Sequence, residues 1–230
     1  MCEHYVARAD SPFRIDELWE LTERLERYGI ASFGWGASWL RQDGGLGRHL
    51  DIRAFADDPA RESVGRTETT ALLVHLRRPS KLSTIGIPDT QPFLDPGGRF
   101  AFSHNGDLLD YRPWRERFRR EGRISGKADS EPAARWLEDR WGEAEPVADV
   151  LGALHDAFRG NANLAVLDGA GRCHMYAGNR DNPVFAFRIG RIEVASTGIH
   201  SHDRSLFRYV CPGATDRRLV PPGRTASLGG

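Results

Sequence analysis

The chain has 230 residues, 32 basic and 32 acidic side chains and a formal net charge of zero, with 40% hydrophobic and 10% aromatic residues. A neutral chain of this length can bury a sizeable core and carries no net field to recruit nucleic acid or an anionic membrane. Its three cysteines, Cys2, Cys173 and Cys211, are odd in number and far apart, which argues against a disulfide framework or a zinc site. No apolar run reaches the roughly 20 residues of a bilayer span. No basic-then-apolar leader opens the sequence, so a reducing, cytoplasmic setting is expected, with neither membrane nor nucleic acid as partner.

In chain order, "DSPFRIDELWELTERLERYG" (10–29) predicts an amphipathic helix capped by Ser11, with Pro12 in its first turn. Ile15, Leu18, Leu21, Leu25 and Tyr28 recur at helical spacing and Gly29 ends it. "IASFGWGASWL" (30–40) reads as extended, and 41–69 as a turn with a short strand around "HLDIRAF". "TTALLVHL" (69–76) suits a buried strand, and 77–98, with four prolines, a long loop. "RFAFSH" (99–104) is a strand ending in Asn105-Gly106. "SEPAARWLEDRW" and "PVADVLGALHDAF" are two helices; "NANLAVLD", "RCHMYAG", "PVFAFRI" and "IEVAST" are strands. Sheets with helices segregated from them imply one layered α+β domain over residues 2–230.

Four stretches carry chemistry. Cys2, once freed of Met1, holds a thiol and an α-amine on one residue. The amine, with a reference pKa near 8, is a base within reach of the nucleophile. "VHLRRPS" ends a strand in Arg77, whose guanidinium can grip a carboxylate through two parallel hydrogen bonds. "FSHNGDL" offers the Asn105 amide and the unshielded Gly106 N–H as an oxyanion cradle. "KADSEPAARWL" places Asp129 where an ammonium group could be received. Each has a plainer alternative: Asn-Gly as a hairpin turn, Asp129 or Ser130 as a helix cap, Arg77 as a solvated charge. His75 and His104 read as packing residues, Cys173 and Cys211 as buried inert thiols. "HSHD" (200–203) lacks further metal ligands, and no metal is expected there.

In their order these stretches resemble the class II glutamine amidotransferases, as do "GWG" at 34–36 and "TQPF" at 90–93, where relatives have "THPF". The resemblance implies a four-layered αββα sandwich of the N-terminal nucleophile hydrolase type and no cofactor. It implies Cys2 as nucleophile with its own α-amine as base, and Asn105 and Gly106 as the oxyanion pair. Arg77 is implied to bind the substrate α-carboxylate assisted by Ser80, and Asp129 the α-amine. The implied reaction is hydrolysis of the γ-amide of glutamine or a γ-glutamyl compound. A stand-alone member that the chain resembles in size and motifs removes a γ-glutamyl group in ergothioneine biosynthesis. The alternatives are a glutaminase subunit feeding ammonia to a separate synthase, and a binding module without turnover. One departure bears on the substrate: Phe33 stands before "GWG", where stand-alone relatives usually carry Asp.

Overall fold

The computed structural model describes residues 2–142, 145–199 and 204–229. In chain order the elements are β1 (Glu3–Arg14), α1 (Trp19–Gly29), β2 (Trp35–Leu40), β3 (Leu46–Asp51), α2 (Arg61–Gly65), β4 (Glu68–Leu76), β5 (Phe93–Leu94) and β6 (Phe100–Leu108). There follow α3 (Tyr111–Arg120), α4 (Ser130–Arg140), α5 (Val147–Phe158), β7 (Gly160–Asp168), β8 (Cys173–Ala177), β9 (Val184–Ile189), β10 (Ile192–Thr197), α6 (Phe207–Val210), β11 (Thr215–Leu219) and β12 (Arg224–Leu228). The strands form a seven-stranded sheet, ordered β11-β9-β10-β1-β4-β2-β3, and a five-stranded sheet, β12-β8-β7-β6-β5.

Alternation along the strands builds the layers. In β1, Tyr5 and Ala7 face the helix α1, while Val6 faces the second sheet. In β6, Phe100 and Phe102 pack against α3, α4 and α5, while Ala101 turns to the first sheet. Three apolar clusters result: sheet against α1 and α6, sheet against α3–α5, and sheet against sheet. This is the expected αββα sandwich. The inter-sheet layer is rich in alanine (Ala71, Ala101, Ala165, Ala195), which lets the two sheets approach closely. Among the described residues no helix is long and apolar enough to cross a membrane.

Four local expectations fail. Ser11 caps no helix: β1 runs on to Arg14, because Phe13 and Arg14 resume pairing with Thr69 and Glu68 beyond an irregularity after Arg8. Pro12, which lacks a ladder donor, falls beside that break, where its loss costs least. The helix starts only at Trp19, after a short 3-10 turn over Ile15–Leu18. Asn105-Gly106 does not end its strand, since β6 continues to Leu108 paired with Gly160. The "HLDIRAF" strand lies earlier, as β3 (Leu46–Asp51). Helix α3 has no counterpart in the sequence reading: its arginines obscure the apolar stripe of Tyr111, Trp114 and Phe118.

Candidate active site

Cys2 precedes a strand held on both edges, β10 on one side and β4 on the other, so the start of the chain is pinned to the middle of its sheet. Its thiol is half-buried and faces a cavity of about 1130 Å³. The Arg78 N–H donates to the sulfur at 3.4 Å. Burial pushes the thiol pKa up, against the pull of that N–H and of the Arg77 guanidinium. Met1, whose removal the α-amine base requires, lies outside the described residues.

Register brings the amide to the cysteine. Asn105 on β6 pairs with Asn163 on β7, and both side chains are fully buried. Nδ2 of Asn105 donates to the Cys2 carbonyl. Its Oδ1 accepts from Nδ2 of Asn163 at 3.1 Å and of Asn182 at 3.5 Å. Backbone donors fix those two amides in turn. Asn163 Oδ1 accepts from the N–H groups of Gly178 and Asn179, and Asn182 Oδ1 from that of Gly198. The whole set therefore leaves Asn105 one orientation, with its NH₂ toward Cys2. Asn182 Nδ2 also reaches both oxygens of Glu3 at 3.1 Å. Glu3 is buried, and desolvation pushes its carboxyl up to about 7 despite those hydrogen bonds.

Gly106 lines the cavity at φ 120°, and a β-carbon there would run into the Asn161 carbonyl oxygen, so only glycine fits. Asn105 lies behind it, fully buried rather than in the cavity wall.

Arg77 is 3% exposed and lines the same cavity. Its backbone is clamped, its N–H to Gly34 at 2.8 Å and its carbonyl from Phe33 at 3.1 Å. Phe33 thus contributes its main chain; its side chain is 38% exposed. Nη2 of Arg77 donates to the Thr84 carbonyl and hydroxyl at 2.5 and 2.9 Å, leaving Nη1 buried without a partner among the described residues. A guanidinium that lines a cavity can receive an anion. Ser80 is exposed on the rim.

Asp129 also lines the cavity and makes no side-chain cap on α4. Its Oδ2 accepts instead from the Leu108 N–H at 2.9 Å, tying the start of α4 to the end of β6. All six predicted residues thus gather at one place: five line the cavity and Asn105 backs it. Sequence reading missed Thr84, Gln91, Asn163, Asn182 and Glu3. Gln91 accepts from the His104 N–H at 2.7 Å and donates to the His104 carbonyl and Ser130 hydroxyl, both at 3.2 Å. That fastens the long loop to β6 and α4. A Gln next to proline and an Asn within a strand were the available signals.

The histidines are packing residues. His4, His75 and His104 are buried, and desolvation lowers all three, His4 to about 3, so they are neutral. Burial lifts Cys173 to about 12 and Cys211 to about 11, which suits inert thiols. Among the described residues His49, Asp51 and Asp58 hold donor atoms within 4.8 Å of one another. Arg53 and the Trp35 indole already engage those carboxylates, which makes the set an ion-pair network rather than an open metal site. His200 and His202 lie outside the described residues.

The family model described as "Glutamine amidotransferases class-II" matches residues 3–178. No curated protein matches the chain. Among solved structures, the glutamine phosphoribosylpyrophosphate amidotransferase from B. subtilis is similar at TM-score 0.72 and 16% identity, over 99% of this chain and 49% of that one. An allosteric regulatory enzyme of purine biosynthesis is similar at 0.74 and 15%, over 98% and 46%. A glutamine aminotransferase class-II domain protein from Silicibacter pomeroyi is similar at 0.63 and 15%, over 98% and 94%. The chain spans about half the length of the first two.

Proposed function

The chain belongs to the class II glutamine amidotransferases, and on that premise we propose that it hydrolyses the γ-amide of glutamine or a γ-glutamyl compound through a thioester on Cys2. The observation that carries the reading is the convergence of Cys2, Arg77, Gly106 and Asp129 on one cavity.

In the proposed cycle the substrate carboxylate docks on the Arg77 guanidinium and its ammonium beside Asp129, which sets the γ-carbonyl against the sulfur. With Met1 removed, the Cys2 α-amine takes the thiol proton and the sulfur attacks. The raised thiol pKa keeps the resting group protonated, so this base is needed. The Gly106 N–H in the wall and the Asn105 amide behind it, beside Cys2, are assigned to the oxyanion, a contribution of about 3–4 kcal/mol per donor that reaches it. The α-ammonium protonates the leaving nitrogen, and water resolves the thioester to glutamate. The chain acts as a single domain over residues 2–230 in the cytoplasm, without a cofactor.

The second reading, an ammonia-supplying subunit for a separate synthase, uses the same chemistry. A non-catalytic γ-glutamyl binder needs a missing essential group, and none is missing. The test is incubation with a glutamine-analogue electrophile followed by mass mapping, together with glutamate release by Cys2→Ala. Labelling at Cys2 and loss of release are expected. Wild-type release by Cys2→Ala refutes the nucleophile.

A further inference from the structure

We infer that the rim of this cavity selects γ-glutamyl amides whose leaving amine carries a carboxylate, an amino acid or short peptide joined through its α-amine, over free glutamine. The inference rests on the proposed hydrolysis for its chemistry, and on the rim alone for its specificity.

Size comes first. A cavity of about 1130 Å³ exceeds the roughly 300–1,000 Å³ of pockets that enclose drug-sized ligands, and a single amino-acid headgroup between Arg77 and Asp129 fills a small part of it. The remainder leaves room for a leaving group larger than ammonia.

Charge decides what that group is. Arg78, Lys81, Arg112 and Lys127 line the cavity, are exposed, and form no ion pair among the described residues. They come from three separate segments: the loop after β4, the first turn of α3 and the loop before α4. The chain has 30 arginines for only two lysines, and both lysines stand here. Elsewhere its arginines are commonly tied into bidentate pairs, such as Arg53 with Asp51 and Arg99 with Asp95. The mobile point charge of lysine suits a ligand that comes and goes better than a fixed fork does.

The first turn of α3 adds to the field. It contains Arg112 and no acidic residue, so its N–H groups add to Arg112, against the Asp110 carboxylate that directly precedes them. The carboxylates in the same wall offset these cations only in part. Asp89 accepts at one oxygen from the N–H groups of Lys127 and Ala128, both at 2.6 Å, and keeps its charge. Asp110 pairs with Arg159 at 2.5 Å, and Asp129 is bound by Leu108 and reserved for the ammonium. Asp89 and the exposed Asp107 are the acids left over, against four cations. Attack by Cys2 then breaks the amide to a γ-glutamyl thioester. The amino acid leaves with the proton of the α-ammonium, its carboxylate held at the rim, and water releases glutamate.

The test compares kcat/KM for γ-glutamyl-alanine, γ-glutamyl-alaninamide and glutamine, and measures calorimetric binding of the first two to Cys2→Ala. One well-formed charge pair predicts about a tenfold preference for the carboxylate over its amide, shrinking as salt is added. The double variant Lys81→Gln/Lys127→Gln should bring the ratio toward one. A ratio near one in the wild type, a ratio unmoved in the double variant, or glutamine preferred to γ-glutamyl-alanine overturns the inference. Turnover without preference leaves hydrolysis standing and removes the rim. Tighter binding of the carboxylate to Cys2→Ala, with no turnover by the wild type, does the reverse.

Discussion

Asn163→Asp probes the orientation of the active-site amide without changing shape. In the wild type Asn163 Nδ2 donates to Asn105 Oδ1 at 3.1 Å and to the Asn182 carbonyl at 2.7 Å, while its Oδ1 accepts from Gly178 and Asn179. An aspartate keeps the accepting oxygen and replaces the donor by a second acceptor. Asn105 Oδ1 then faces an oxygen, and the amide relieves this by flipping, turning NH₂ toward the new carboxylate and its oxygen toward Cys2. The oxyanion loses one donor and meets a lone pair, which predicts a fall in kcat of about 10²–10³, or about 3–4 kcal/mol of transition-state stabilisation. Ground-state docking on Arg77 and Asp129 is untouched, so KM should change little. Two buried acceptors lose partners, at about 1–3 kcal/mol each, so the melting temperature should fall as well. Asn163→Ala separates the two effects: it removes the donors but supplies nothing to flip toward, and should retain more kcat than the aspartate at comparable stability. The assay is glutamate release, with a thermal melt on each variant. A folded Asn163→Asp with near-wild-type kcat, or an alanine variant slower than the aspartate, refutes the orienting network.

Arg77→Lys should raise KM about tenfold or more, because a point charge cannot satisfy Thr84 and a substrate carboxylate together; an unchanged KM in a saturation curve removes Arg77 from the site. Gly106→Ala forces φ 120° on a residue with a β-carbon and a clash with the Asn161 carbonyl. It should cost about 1–3 kcal/mol or more and abolish release, as read by melt and assay. Glu3 carries a carboxyl raised from 4.5 to about 7. A raised acid means that the folded state holds its proton more tightly, so stability falls as pH rises from about 4.5 to 7 and the full cost remains above. That cost reaches about 3 kcal/mol. Glu3→Gln, permanently neutral, should gain melting temperature relative to wild type between pH 5 and pH 8; a gap that stays flat or narrows refutes the buried-carboxyl account.

Local pattern was enough wherever one residue type served one purpose. The apolar run of β4, the alternation of β7 and the stripes of α4 and α5 read directly, since burial on a strand or helix imposes its own period. The six candidate residues came from the order of four stretches and their resemblance to a family, not from any one residue type, and the fold brings them to one cavity. Nothing local distinguished Asn105-Gly106 inside a strand from the same pair in a turn; pairing with β7 decided it. Nor did composition mark Asn163 and Asn182, 58 and 77 residues from Asn105, as the donors that hold its amide. Residue chemistry is carried by the chain itself, but the direction of an amide, the burial of Arg77 Nη1 without a partner among the described residues and the rise of Glu3 to about 7 exist only once two sheets close and exclude water. Which hydrogen bonds remain available is a property of that packed interior and of no single segment.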